Sequence, residues 1–228
     1  MAQISVIIPA LNEAESIGQV VREMPWRLIA ECIVVDNGST DDTAEFARAA
    51  GARVIQSPRG YGAACLAGSN AALATSDILV YMDGDGADIP SFLPELTGPI
   101  AAGEADFVIG SRIRGKRAAG SMLPSQVFAG HFVGLLLRVT QRVRYTDMCA
   151  FRAIRRTSLD ALGMSEMTYG WNLEMQIKAA QHGLRIREIA VDYRCRLGGV
   201  SKVSGDWKAS IKTAQRIVAV LARTGFRR

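Results

Sequence analysis

Residues 78–88 read Ile78-Leu-Val-Tyr-Met-Asp83-Gly-Asp85-Gly-Ala-Asp88, an aliphatic run that stops abruptly at two aspartates. The apolar part has the length of a buried strand, so Asp83 and Asp85 stand at its carboxyl end. Carboxylates two residues apart repel one another unless something neutralises them. A hard divalent cation such as Mg2+ or Mn2+ does so, because it takes oxygen ligands and leaves positions open to substrate phosphates. An acidic turn capping a helix that begins near Ile89 is the other reading, since Asp-Gly is common in turns. The local sequence admits both.

Outward from this stretch, short aliphatic runs alternate with helical patterns. Residues 4–8, 31–35, 53–56, 78–82 and 106–109 read as strands, and 14–24, 41–50, 62–74 and 89–101 as helices. Asn12 and Glu13 open the first helix, and Asp41 and Asp42 lie at the positive end of the second helix dipole. This alternation implies an α/β fold, a mostly parallel central sheet with helices on both faces. Ligands in such sheets bind beyond the carboxyl ends of the strands. Residues 9–13, 36–40, 83–88 and 110–112 then share one rim.

The second half is less regular. Helices are expected over 125–139 and 170–182, a loop over 147–152, and short strands over 185–190 and 192–194. A glycine-bearing loop follows at 196–202. Residues 206–223 place Trp207, Ile211, Ala214, Val218 and Leu221 at helical spacing, flanked by Lys208, Lys212 and Arg216. Such a basic amphipathic helix suits a membrane surface or packs on its own domain.

The 228 residues suit one domain with a sizeable core. Charge is distributed unevenly. Residues 1–111 hold 5 Lys/Arg against 15 Asp/Glu, and residues 112–228 hold 22 against 7. The acidic half favours a metal and the basic half an anionic partner. Nucleic acid is not expected, because aromatic residues are few and not interleaved with the basic clusters. Cys32, Cys65, Cys149 and Cys195 have no CxxC spacing, which argues against a zinc site or a disulfide framework. No basic leader precedes residues 4–8, and the longest nearly apolar run, 127–137, is too short to cross a bilayer. No membrane-spanning segment is expected.

Several rim residues have chemistry to offer. Asp36 can accept from a ribose hydroxyl or a base N–H, or cap the next helix. Arg112 ends a strand where a guanidinium reaches a phosphate. Arg196 and Lys202 bracket a Gly198-Gly199 loop that can deliver cations onto a phosphate. Arg112 and Lys202 also read as solvated charges.

Together these residues resemble glycosyltransferase family 2 enzymes of the GT-A fold, and among them the polyprenyl-phosphate mannosyl- or glucosyltransferases. The resemblance rests on Val6-Ile-Ile-Pro-Ala-Leu-Asn-Glu13, Val34-Val-Asp-Asn-Gly-Ser-Thr-Asp41, Arg59-Gly-Tyr-Gly62 and Met82-Asp-Gly-Asp85. It continues through Gly110-Ser-Arg112, residues 147–152 and Arg196-Leu-Gly-Gly-Val-Ser-Lys202. It implies a GT-A catalytic domain over 1–204 followed by a C-terminal helix over 205–228.

The activity implied is inverting, metal-dependent transfer of a hexose from a UDP- or GDP-sugar to a polyprenyl phosphate. By that analogy Pro9, Leu11, Glu13, Val34 and Asp36 line the base and ribose pocket. Asp83, Gly84 and Asp85 sit by the Mg2+ or Mn2+ ion and the diphosphate, with Asp83 and Asp85 as ligands. Arg112, Arg196 and Lys202 bind phosphates. Asp85, Arg112 and Asp147 are the catalytic candidates, and Glu174 joins Asp147 as a possible base. His131 and His182 lie within helical patterns, away from any motif. Two positions depart from the family pattern: Ala87 replaces a polar residue, with Asp88 as a substitute, and Gln126 stands where a basic residue is frequent. Docking on an anionic membrane, at its cytoplasmic face, would be peripheral, through the basic half and residues 127–137. The alternatives are a soluble glycan or metabolite hydroxyl as acceptor, nucleotidyl transfer, or nucleotide-sugar binding without turnover.

Overall fold

The computed structural model describes residues 2–198, 219–220 and 223–224. Seven strands share one sheet: β1 (Ile4–Ala10), β2 (Glu31–Asp36), β3 (Arg53–Gln56), β4 (Ile78–Tyr81), β5 (Phe107–Ser111), β6 (Arg152–Arg155) and β7 (Ile186–Ala190). Their order is β3-β2-β1-β4-β6-β5-β7. β1 pairs in parallel with β2 and β4, β2 with β3, and β5 with β7. β6 runs antiparallel to both β4 and β5. Every residue of β1, β2, β4 and β5 is buried, as expected for strands covered on both faces. The edge strands β3 and β7 are partly exposed.

The helices are α1 (Ile17–Arg22), α2 (Thr43–Ala49), α3 (Tyr61–Ala71), α4 (Leu93–Ala101), α5 (Pro124–Gln141), α6 (Arg156–Leu162) and α7 (Trp171–Gln181). A short 3-10 turn, Pro90–Phe92, leads into α4. The first half thus follows the expected alternation.

The second half departs from it. β6 extends the stretch read as a loop over 147–152, and its Arg-Ala-Ile-Arg composition carries no aliphatic signal. Arg152 is fully buried in the sheet's interior. Its guanidinium donates to the carbonyls of Cys149 and Asn172 and lies 5.9 Å from the centre of the Phe107 ring. Tertiary carbonyls, invisible in a local pattern, make that burial tolerable. α6 was likewise unannounced. The strand expected over 192–194 is only an isolated bridge, in which Tyr193 pairs with Asp88 on one side and Arg117 on the other. The amphipathic helix expected over 206–223, and the boundary at 204, lie outside the described residues save for 219–220 and 223.

Close backbone approach places α3 relative to the rim. The Asn37 side chain, just beyond β2, donates to the Gly60 carbonyl at 2.6 Å and accepts from the Gly60 N–H at 2.8 Å. The chain at Glu166–Met167 crosses directly over the start of α3, where the Ala63 N–H donates to the Met167 carbonyl at 3.0 Å. A Cβ on Gly62 would stand 2.0 Å from the Glu166 carbonyl oxygen and 2.8 Å from the Met167 carbonyl carbon. Both obstacles are backbone and cannot rotate away. Gly62→Ala is therefore expected to lower stability by about 1–3 kcal/mol, read from urea unfolding midpoints. A neutral result would mean that the crossing is loose.

Candidate active site

Three connections bring their residues to the carboxyl ends of β1, β2 and β4. At the first two, Asn12 adopts φ 50° and accepts from the Thr40 N–H at 2.8 Å. Its own N–H reaches Ser39 Oγ at 3.0 Å, and the Glu13 N–H reaches Thr43 Oγ1 at 2.8 Å. Asp36 is buried and accepts from the Ser39 N–H at 2.9 Å, so one oxygen braces the turn. Pro9 is buried within β1 and Leu11 half-buried just past it. Val34 is wholly enclosed in the core and presents no surface to the rim.

Beyond β4 the chain folds back on itself. The Gly84 carbonyl accepts from Ser16 Oγ at 2.8 Å. Asp85 accepts from the Ala87 N–H at 2.8 Å, while its other oxygen pairs with Arg196 at 3.1 Å. The same guanidinium nitrogen lies 3.3 Å from Glu13 Oε1, so Arg196 joins the first and third connections. Arg196 Nε is buried and has no hydrogen-bond partner among the described residues. Such a donor suits an anionic oxygen. Ala87 is buried and offers no ligand; Asp88 turns inward, accepting from the Asp83 N–H at 3.1 Å and facing the Cys149 thiol.

Packing these carboxylates together has an electrostatic consequence. Burial, then the Asp85 charge, pushes Asp83 up to about 7 against the opposing pull of Arg112 and Arg196. Burial and the charges of Asp83 and Asp85 push Asp88 up to about 8.

Arg112 approaches from β5. Its backbone N–H, Nε and one terminal nitrogen all donate to Asp147, at 3.0, 2.8 and 2.7 Å. The guanidinium also lies 5.0 Å from the centre of the Tyr193 ring. Asp147 is held in turn: its N–H donates to Glu188 and its carbonyl accepts from Gln176 Nε2 at 2.9 Å. Asp147 thus orients Arg112 rather than standing free. Glu174 is also committed. Although burial alone would raise it, donors from Ser165, Glu166 and Lys178 hold it below the usual carboxylate range. His131 is exposed on α5, bonded to the Val127 carbonyl, and His182 ends α7.

Glu13, Asp83, Asp85 and Arg196 are therefore brought together, with Arg112 and Asp147 forming a second pair. Lys202 lies outside the described residues. Tyr193, Gln176 and Glu188 carried no motif or periodic signal, and only the fold reveals them.

With this geometry, comparison with known proteins is direct. The family described as Glycosyl transferase family 2 matches residues 5–163. The chain belongs to glycosyltransferase family 2. An uncharacterised glycosyltransferase of Mycobacterium tuberculosis is 40% identical to it over 210 residues, covering 91% of this chain and 93% of the relative. The undecaprenyl-phosphate mannosyltransferase of Micrococcus luteus is 32% identical over 225 residues, covering 89% and 88%. Among solved structures, glucosyl-3-phosphoglycerate synthase of M. tuberculosis with Mn2+, UDP-glucose and phosphoglyceric acid superposes with a TM-score of 0.80. It is 25% identical, and the match covers all of this chain and 81% of that one.

The transferase's own residues suit a divalent cation of limited protein ligation. Asp83 and Asp85 are hard oxygen donors whose charge Arg196 and Arg112 offset only in part. Among the described residues no three His, Cys, Asp or Glu side chains converge on one point. One or two carboxylates, with the remaining positions left to a diphosphate, is the usual arrangement for Mg2+ or Mn2+.

The raised proton affinities of Asp83 and Asp88 have a testable consequence. Asp83 and Asp88 hold their protons to higher pH when folded than when unfolded, where aspartate titrates near ~4. Folding then takes up protons, and their contribution to stability is lost as pH rises through about 7 and 8. The melting temperature of metal-free protein should fall between pH 5 and 8.5. Asp88→Asn should flatten that fall, and millimolar Mn2+ should reverse much of it at pH 8. Melting curves insensitive to pH over that range would contradict the assignment.

Proposed function

We propose that this transferase moves a hexose from a UDP- or GDP-sugar, with inversion, onto the phosphate of a polyprenyl phosphate. The observation that carries the reading is the two-pronged Arg112–Asp147 pair. A hydroxyl acceptor must surrender a proton and needs a base. Asp147 is committed to Arg112 and Glu174 to Ser165, Glu166 and Lys178. A phosphate monoester needs no such base, its second pKa being about 6.

In this reading Pro9, Leu11, Glu13 and Asp36 receive the nucleoside, with Val34 supporting them from the core. Asp83 and Asp85, beside Gly84, hold Mg2+ or Mn2+, which supplies positive charge to the diphosphate. An acceptor phosphate oxygen attacks the anomeric carbon as the bond to the diphosphate breaks, and the nucleoside diphosphate carries away the negative charge. Arg112, held rigid by Asp147, and Arg196, with its unmatched Nε, stabilise that charge as it develops. Lys202 is assigned the same role from its motif.

The acceptor side also favours a lipid. Three residues past Arg112 an open cleft of about 500 Å³ begins, lined by Gly115, Arg117, Ala118, Gly120, Met122 and Val127. Arg117 is the one cation of this lining, which is about as polar as apolar, and it suits a phosphate, while Met122 and Val127 offer an apolar chain a wall. The mannosyltransferase of M. luteus points the same way. The second reading, a soluble phosphorylated metabolite accepting through a hydroxyl, is favoured by the likeness to the phosphoglycerate-bound synthase.

Two measurements test this. Purified protein with Mn2+ or Mg2+, UDP-glucose or GDP-mannose, and short polyprenyl phosphates and phosphoglycerate as competing acceptors should yield a lipid-linked sugar. Asp85→Ala should reduce the yield by about a hundredfold or more. A glycosylated phosphoglycerate with no lipid product would select the second reading. Asp147→Asn should lower kcat/KM through loss of Arg112 orientation while the pH profile of kcat keeps its shape. Disappearance of a titrating limb in that variant would instead make Asp147 a base.

A further inference from the structure

We infer that the outward face of α5 is a docking surface for an anionic lipid bilayer. Phe132, Leu135 and Val139 are 58%, 60% and 73% exposed and recur at i, i+3 and i+7, which places them on one side of the helix. The opposite side is already used. Val133 and Leu137 are buried, and Gly134 lies so close to the Tyr145 carbonyl oxygen that a Cβ there would stand 2.2 Å from it. The helix is therefore fully packed without these three large side chains. Burial of Val133 and Leu137 also corrects the expectation that 127–137 as a whole is the docking segment.

Charge selects the occupant. Arg138, Arg142 and Arg144 are exposed at the carboxyl end of this face and just beyond it, and none pairs with a carboxylate among the described residues. A second copy of the chain packed here about a two-fold axis would bring no carboxylate of its own α5 to these arginines, because residues 124–141 contain neither Asp nor Glu. An anionic leaflet offers the missing counter-charge, and an apolar stripe with basic flanks is the pattern of a helix lying in the interface plane. Among the described residues no helix is long and apolar enough to cross a membrane. Val127, two turns before Leu135, lines the acceptor cleft. Docking through α5 would thus bring the cleft to the depth of lipid headgroups. The surface rests on the lipid-acceptor reading for its use, not for its existence.

The test is co-sedimentation of the full chain with phosphatidylglycerol/phosphatidylcholine vesicles and with phosphatidylcholine vesicles, none carrying acceptor. Binding is expected to the anionic vesicles and to weaken with salt. The Leu135→Glu/Val139→Glu double variant should bind at least tenfold more weakly. Its melting temperature, and its transfer to a short water-soluble polyprenyl phosphate, should be unchanged. Equal binding by variant and parent, or no binding by the parent, overturns the proposal. So does a dimer in sedimentation velocity that the variant dissociates, which would assign the face to a second copy. A protein that transfers sugar but ignores vesicles refutes the docking surface alone, and one that binds vesicles but makes no lipid-linked sugar refutes the acceptor reading alone.

Discussion

Negative charge concentrated where the chain leaves β4 is the constraint around which the rest of the rim is arranged. Asp83, Asp85 and Asp88 fall within six residues, in a fold that buries two of them almost completely. Like charges in a low-dielectric setting raise one another's proton affinity, and only positive charge or hydrogen-bond donors relieve the cost. The protein supplies part of that relief with Arg196 on Asp85, Arg112 nearby, and a backbone N–H on Asp88. The remainder is what makes the loop receptive to a divalent ion and its diphosphate.

The segment 193–197 ties this loop to the chain that follows β5. The Leu197 N–H donates to the Asp85 carbonyl and the Arg194 N–H to the Ala87 carbonyl, while Tyr193 exchanges backbone hydrogen bonds with Lys116 and Ala118. One strap therefore spans both loops. Gly86 makes the crossing possible: at φ 78°, a Cβ there would meet Leu197 at 2.4 Å. Because Tyr193 also stacks against Arg112, the guanidinium proposed to meet the phosphates is positioned by the strap as well as by Asp147. The loop after β4 and the segment after β5 are thereby parts of one connected framework.

Much of this was legible beforehand, for physical reasons. β1, β2, β4 and β5 are buried on both faces, so they must be aliphatic, and aliphatic runs are easily read. The aspartates after β4 stood out because a strand end full of negative charge is unusual without a purpose. β6 was missed because Arg152 is buried among carbonyls contributed by distant residues, and a local pattern counts arginine as a surface residue. Asp147 was expected at the site, but its clamping onto Arg112 was not. Whether a carboxylate is free or clamped depends on Arg112, Gln176 and Glu188, which lie between 29 and 41 residues away.

What the sequence by itself determined is therefore the class of fold, the family and the acidic and basic sides of one rim. Strand periodicity, strand-end residues and charge asymmetry are local or compositional properties that survive without coordinates. Tertiary structure alone decided the antiparallel insertion of β6, the locking of Arg112 by Asp147, the inward turn of Asp88, and the exposed face of α5. Each of these depends on which side of an element faces a partner distant in sequence. Periodicity shows that a face exists, and only packing shows whether that face is covered.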